Sequence, residues 1–162
     1  MAGDLVRDFG YLTLGSRLKR LGERMQSDVS RLLKAEGIEI PAALLPTLGT
    51  LDRHGEQTVN ELAKSLGIAQ PGVTRNLTQL EKAGLIQRGT PARDQRVRPV
   101  ALSEEGARLA DDLKRTVWPR VEAAVAEICA GLDGPLLEQL TTIEEALDQR
   151  PLDQRAKQER DR

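Results

Sequence analysis

The sequence predicts a mainly α-helical protein with one small β-hairpin, and three observations lead there. Apolar residues recur at steps of three and four through most of the 162 positions, the spacing that lines one face of a helix. Helix-starting and helix-stopping residues punctuate those stretches. One short run, Leu85-Ile86-Gln87-Arg88, breaks the helical period and is followed by the turn-forming Gly89-Thr90-Pro91-Ala92 and a second extended run.

The first helical pattern runs from about Phe9 to Ala35, with Leu14, Leu18, Leu21, Met25, Val29 and Leu32 on one stripe. Arg17, Lys19, Arg20 and Arg24 fall mostly off it, and Gly37 suits the residue just past the helix end. A shorter helix spans about Pro41 to Arg53 with Leu45, Leu48 and Leu51 inward. Pro46 lacks an N–H and crowds the preceding turn, so the helix should restart or bend there. Thr58-Val59-Asn60-Glu61 is a capping box, in which Thr58 caps the next helix and Glu61 reaches back. That helix carries Val59, Leu62, Ala63 and Leu66, and stops at Gly67. The following helix runs from about Gln70 to Ala83, with Pro71 in its first turn and Val73, Leu77 and Leu80 as the buried stripe.

The hairpin follows, its return strand at about Val97 to Leu102, where Pro99 fits only an edge. Ser103 caps a long helix whose first turn holds Glu104 and Glu105, acids favoured at that end of the dipole. Its stripe is Leu109, Leu113, Val117, Val121, Val125, Ile128 and Leu132, with a kink expected at Pro119. After Gly131 and Gly134, a last helix from about Pro135 to Asp148 shows Leu136, Leu140, Ile143 and Leu147. From Pro151 on, the chain is polar and reads as a frayed tail.

Composition narrows the function. Hydrophobic residues make up 39% and charged residues 30%, which suits a folded soluble protein. Phe9, Tyr11 and Trp118 are the aromatic residues, too few for the stacking platforms of a single-strand binder. The net charge of −1 conceals an asymmetry. From Lys64 to Arg98 there are seven basic residues against two acidic, whereas from Ser103 to Arg150 there are five against eleven. A local basic segment is the footprint expected for phosphate binding, although a solvated charged face would look the same on charge alone. Cys129, the single cysteine, permits no internal disulfide and fits a reducing compartment. No stretch approaches the ~18 apolar residues of a membrane span, and the N-terminus lacks the apolar core of a secretory signal. A cytoplasmic location is the expectation.

Assembled, the middle of the chain reads helix, helix, tight turn, helix and hairpin, a winged helix-turn-helix between long terminal helices. With Val73, Leu77 and Leu80 inward, the second helix of the motif is expected to show Gln70, Pro71, Thr74, Arg75, Asn76 and Gln79 outside. Arg pairs bidentately with guanine, Asn and Gln with adenine, and Thr meets a thymine methyl or a phosphate. A helix with a merely solvated face would more often show Glu and Lys. Arg93 and Arg96 sit near the hairpin tip beside Asp94, where a basic loop enters a minor groove or grips the backbone. Asp94 suits an arginine partner better than a phosphate, since it would aim the planar fork.

These residues resemble the MarR family of bacterial regulators. The stretch Asn60 to Arg88 is similar to that family's recognition region, Asp94-Gln95-Arg96 to its D-x-R wing motif, and Leu102-Ser103-Glu104-Glu105-Gly106 to the L-T/S-x-x-G that opens its next helix. The resemblance covers roughly residues 9 to 148. Ala69 departs from it, standing where a capping Ser or Thr is common; Gly72 and Pro46 depart as well. Pro46 and the Gly15–Arg20 opening resemble a branch in which the regulator precedes an acetyltransferase domain, and no such domain is expected within these residues. The resemblance implies a homodimer bound to double-stranded DNA at a pseudo-palindromic site, and a repressor released by a small-molecule effector. It implies recognition roles for Gln70, Thr74, Arg75, Asn76 and Gln79, and wing roles for Asp94 and Arg96.

The helical stripes point to dimerisation on their own, because one small winged unit cannot cover them all. A two-fold dimer would bury Leu14, Leu18, Leu21, Val121, Val125, Ile128, Leu132, Leu136, Leu140 and Ile143, and would space two recognition helices about 34 Å apart. The expected organisation is a dimerisation helix over 1–40, the winged unit over 41–102, dimerisation helices over 103–150 and a flexible tail over 151–162. No metal spacing, nucleophile motif or phosphate loop is evident, so no cofactor and no catalysis are expected. His54 reads as a helix-end residue, Cys129 as inert packing and Trp118 as packing at a bend. Two rivals stand beside DNA binding: a winged module that binds protein, and an enzyme fragment.

Overall fold

Side-chain caps and glycines in the left-handed region set the helix boundaries, as a computed structural model describing residues 3–89 and 98–160 shows. A short helix α1, Leu5–Asp8, and a 3-10 turn, Gly10–Thr13, lead into the long α2, Leu14–Ala35. The Arg20 guanidinium pairs with both Asp4 carboxylate oxygens at 3.0 and 2.9 Å, tying the start of the chain to α2. Past the end of α2, Gly37 takes φ 76°, and the N–H groups of Gly37 and Ile38 bond back to the carbonyls of Lys34 and Leu33. This double bond-back is the left-handed stop expected of glycine at that place.

Of the restart or bend expected at Pro46, the structure has the restart. A 3-10 turn over Ala42–Leu44 precedes α3, Leu45–His54, with Pro46 in its first turn, where the missing N–H has no bond to forfeit. The capping box forms in full ahead of α4, Val59–Leu66: Thr58 Oγ1 accepts the Glu61 N–H at 3.2 Å, and the Glu61 carboxylate accepts the Thr58 N–H at 2.7 Å. Gly67 ends α4 in the left-handed conformation and α5 follows over Gln70–Lys82.

Strands β1, Ile86–Arg88, and β2, Val100–Leu102, pair antiparallel with Ile86 opposite Leu102 and Arg88 opposite Val100. Val100 also bridges to Gln57, so the strand is held from both sides. Pro99 lies just before β2, and its carbonyl accepts the Gly89 N–H at 2.8 Å. The hairpin turn at Thr90–Ala92 lies outside the described residues.

Ser103 caps α6, Glu104–Thr116, through the Gly106 N–H at 3.0 Å, and its own hydroxyl donates to the Gly84 carbonyl at 2.6 Å. One long kinked helix is expected after Ser103. The structure has two: α6 ends at Thr116, and α7, Trp118–Cys129, begins after Val117 with Pro119 in its first turn.

Two compact units result, divided after Pro119. In the first, α3 packs against α4, α5, α6 and β2. Leu48, Leu62, Val73, Leu77, Leu80, Val100 and Leu113 lie buried at its centre. Helix α6 falls in this first unit together with α2 and the winged segment, its Gly106, Ala110 and Leu113 buried. The second unit holds most of α7, then α8, Leu136–Gln149, and α9, Leu152–Arg160. Where a frayed tail is expected, the chain is helical, and the Arg155 guanidinium bonds to the carbonyls of Ala146 and Arg150 at the end of α8.

Candidate nucleic-acid interface

Gly67 at φ 62° turns the chain between α4 and α5, with its N–H bonded to the Ala63 carbonyl. No side chain caps α5, because Ala69 offers no oxygen; the Ala69 carbonyl takes the N–H groups of Gly72 and Val73 instead. Val73, Leu77 and Leu80 are at most 1% exposed and anchor one face of α5 in the core. A helix pinned along one stripe turns the opposite stripe outward. Gln70, Pro71, Thr74, Arg75 and Gln79 are all exposed on α5 as expected.

Thr78 and Lys82 are exposed on the same side and were not among the expected reading residues. Their signal was available, since Arg75, Thr78 and Lys82 follow one another at steps of three and four. The hydroxyls of Thr74 and Thr78 donate to the Gln70 and Thr74 carbonyls at 3.0 and 2.9 Å. In that state each threonine offers outward a methyl group and oxygen lone pairs, which suits a thymine methyl or a base amino group.

Asn76 needs a correction. It is half-buried, and its side-chain Nδ2 donates to the Oγ1 of fully buried Thr47 on α3 at 3.1 Å. Val73, Asn76 and Leu80 follow one another at steps of three and four beside Leu77, so Asn76 belongs to the edge of the inward face. The outward placement expected of it fails for that reason.

The basic segment is partly neutralised within the fold. Arg88 Nε and Nη2 each donate to a different oxygen of the Glu81 carboxylate at 3.0 Å. These bonds hold the Glu81 carboxyl below its ordinary range and raise the Arg88 guanidinium above its own. Lys64, Arg75, Lys82 and Arg98 form no ion pair among the described residues. The wing residues Arg93, Asp94 and Arg96 lie outside the described residues.

The residues expected at a dimer interface are accessible in the single chain. Leu18, Leu21, Leu132 and Ile143 are exposed, and Ile128 is 75% exposed. Leu14, Val121, Val125, Leu136 and Leu140 are half-buried, and neither α7 nor α8 contains a buried residue. His54 is exposed at the end of α3, Cys129 is half-buried, and the Trp118 ring lies beside Gly49. Among the described residues, no His, Cys, Asp and Glu gather in a group able to hold a metal ion, and no helix is long and apolar enough to cross a membrane.

Residues 40–97 match the model of the MarR family. The chain is similar to a MarR family transcriptional regulator from Silicibacter pomeroyi, with 26% identity and a TM-score of 0.60 over 86% of this chain and 90% of that one. It shares its fold with S. aureus MepR in a DNA complex, at 23% identity and a TM-score of 0.66 over 83% of this chain and 96% of that one. It also shares it with wild-type MarR from E. coli in its apo form, at 22% identity and a TM-score of 0.57 over 84% and 95% of the two chains.

Proposed function

We propose that this chain is a MarR family transcriptional regulator that binds a pseudo-palindromic site on duplex DNA as a homodimer. The observation that carries the reading is the outer face of α5, where Gln70, Thr74, Arg75 and Gln79 stand exposed over a stripe locked in the core. These side chains present the donors and acceptors that match base edges in a major groove. Pro71 shapes the first turn of that helix, and Arg93, Asp94 and Arg96 serve the wing. Lys64, Lys82 and Arg98 add charge for the phosphate backbone, which supplies affinity without sequence choice. The S. aureus protein of the same fold is bound to DNA in its structure, in keeping with this use of the fold.

Homodimerisation covers the exposed leucines and isoleucines of α2, α7 and α8 and doubles the reading head. The family premise adds repression of the bound operator and its relief by a small-molecule effector. The test is to select DNA fragments on the purified protein and measure binding by fluorescence anisotropy. Arg75→Ala should cost about 1–3 kcal/mol on the selected site and little on random DNA. Equal losses on both would remove base reading from Arg75, and no binding by the wild-type chain would end the proposal.

A further inference from the structure

Glu81 and Arg88 close the corner between the recognition helix and the wing. Glu81 is the next-to-last residue of α5, and Arg88 is the last residue of β1, from which the hairpin departs. Both guanidinium–carboxylate bonds are 3.0 Å, the two-pronged geometry in which arginine binds a carboxylate most firmly. The side chains are 39% and 44% exposed, so the pair sits at the surface rather than inside the core. As a contribution to stability, such a pair is worth little. Its electrostatic consequence is larger, because Arg88 is one of the bases of a segment otherwise poor in acids.

We propose that Glu81 is a specificity-determining residue that withholds Arg88 from the DNA backbone, keeping sequence-independent affinity low beside the reading face of α5. The inference rests on the DNA-binding reading above. A phosphate approaching Arg88 meets a pair of zero net charge. Drawing the guanidinium away would leave the Glu81 carboxylate unpaired next to the phosphate, and like charges repel. The two bonds that Arg88 makes to Glu81 are also the ones it would offer a phosphate, so the partners compete for the same donors. Specific binding is won by the exposed side chains of α5; an additional free arginine would strengthen every site alike and erode the ratio between right and wrong sequences.

The test measures affinity for the selected site and for random DNA against salt, for wild type, Glu81→Gln and Glu81→Gln/Arg88→Gln. All three should show wild-type far-UV circular dichroism, since the altered groups lie at the surface. Each phosphate neutralised contributes about 0.9 to the slope of log affinity against log salt. Glu81→Gln should tighten random-DNA binding and steepen the slope by about one unit per subunit, which means about threefold more affinity lost per subunit, or about tenfold for the dimer, between about 50 and 200 mM salt. Adding Arg88→Gln should restore the wild-type slope. A Glu81→Gln slope equal to wild type overturns the proposal. So does a double variant as steep as Glu81→Gln, because the gain would then come from the lost acid alone. A double variant flatter than wild type overturns it too, since Arg88 would already be gripping phosphate. Absence of DNA binding by wild type would instead strike the underlying function.

Discussion

Replacing Gly106 with alanine should destabilise the winged unit, although alanine is the better helix former. A Cβ built on Gly106 would stand 1.9 Å from the Leu85 carbonyl oxygen and 2.9 Å from its carbon. An ordinary carbon–oxygen contact is ~3.3 Å, so α6 and the Leu85 backbone would have to part by about 1.4 Å. That backbone cannot yield cheaply. The Leu85 carbonyl also accepts the Ser103 N–H at 3.0 Å, its N–H bonds to the Leu80 carbonyl at 2.9 Å, and Leu85 itself is 5% exposed. Overpacking a core by one carbon costs about 1–3 kcal/mol, and loosening the Ser103 bond adds about 1 kcal/mol. The gain from alanine within a helix is about 1 kcal/mol. The net expectation is a loss of about 1–3 kcal/mol, read in urea melts at one fixed protein concentration. For a chain of this size each kcal/mol lowers Tm by about 2–4 °C. Gly72→Ala provides the contrast. Its Cβ would meet only the end of the Ile68 side chain at 3.7 Å, so the same change should stabilise by about 0.5–1 kcal/mol. A Gly106→Ala protein as stable as wild type would refute the claim that the fold requires a bare backbone there.

Three other outcomes are expected. Arg96→Ala should weaken DNA binding and flatten its salt dependence by about one unit per wing engaged, and an unchanged slope would rule out a phosphate contact from that residue. The Thr58 N–H and hydroxyl bonds hold Glu61 below its ordinary carboxyl range, so its stabilising effect is full above the unfolded value and disappears as pH falls through the lower folded one. Glu61→Gln should therefore differ most from wild type near neutrality and converge on it in acid; a gap that persists at pH 3 would contradict this. Ile128→Glu should shift sedimentation from dimer to monomer at micromolar concentration while leaving helix content intact, and an unchanged dimer would take Ile128 out of the interface.

Local chemistry made most of this architecture legible. The capping box at Thr58 and Glu61, the left-handed stops at Gly37 and Gly67, and the stripe of Val73, Leu77 and Leu80 all act within about one helical turn, over distances a linear reading can follow. The same reach accounts for the exposed face of α5. It makes Thr78 and Lys82 legible as well, since they follow Arg75 at steps of three and four. The amino acids themselves dictated where helices begin, where they stop and which side of each is apolar, because those properties belong to neighbours along the chain.

Packing between distant segments decided the rest. Asn76 turns inward because Thr47, 29 residues earlier, offers a buried oxygen, and only the crossing of α3 and α5 brings the two together. A side chain at Gly106 would strike the Leu85 carbonyl because α6 lies directly on it. Arg88 is ion-paired because the turn after α5 folds β1 back alongside Glu81. The packing of α6 on α3 and β2 accounts for the burial of Ala110 and Leu113. A residue's type states which bonds it is able to make. Which of them it makes depends on what the tertiary fold sets within about 3 Å of it.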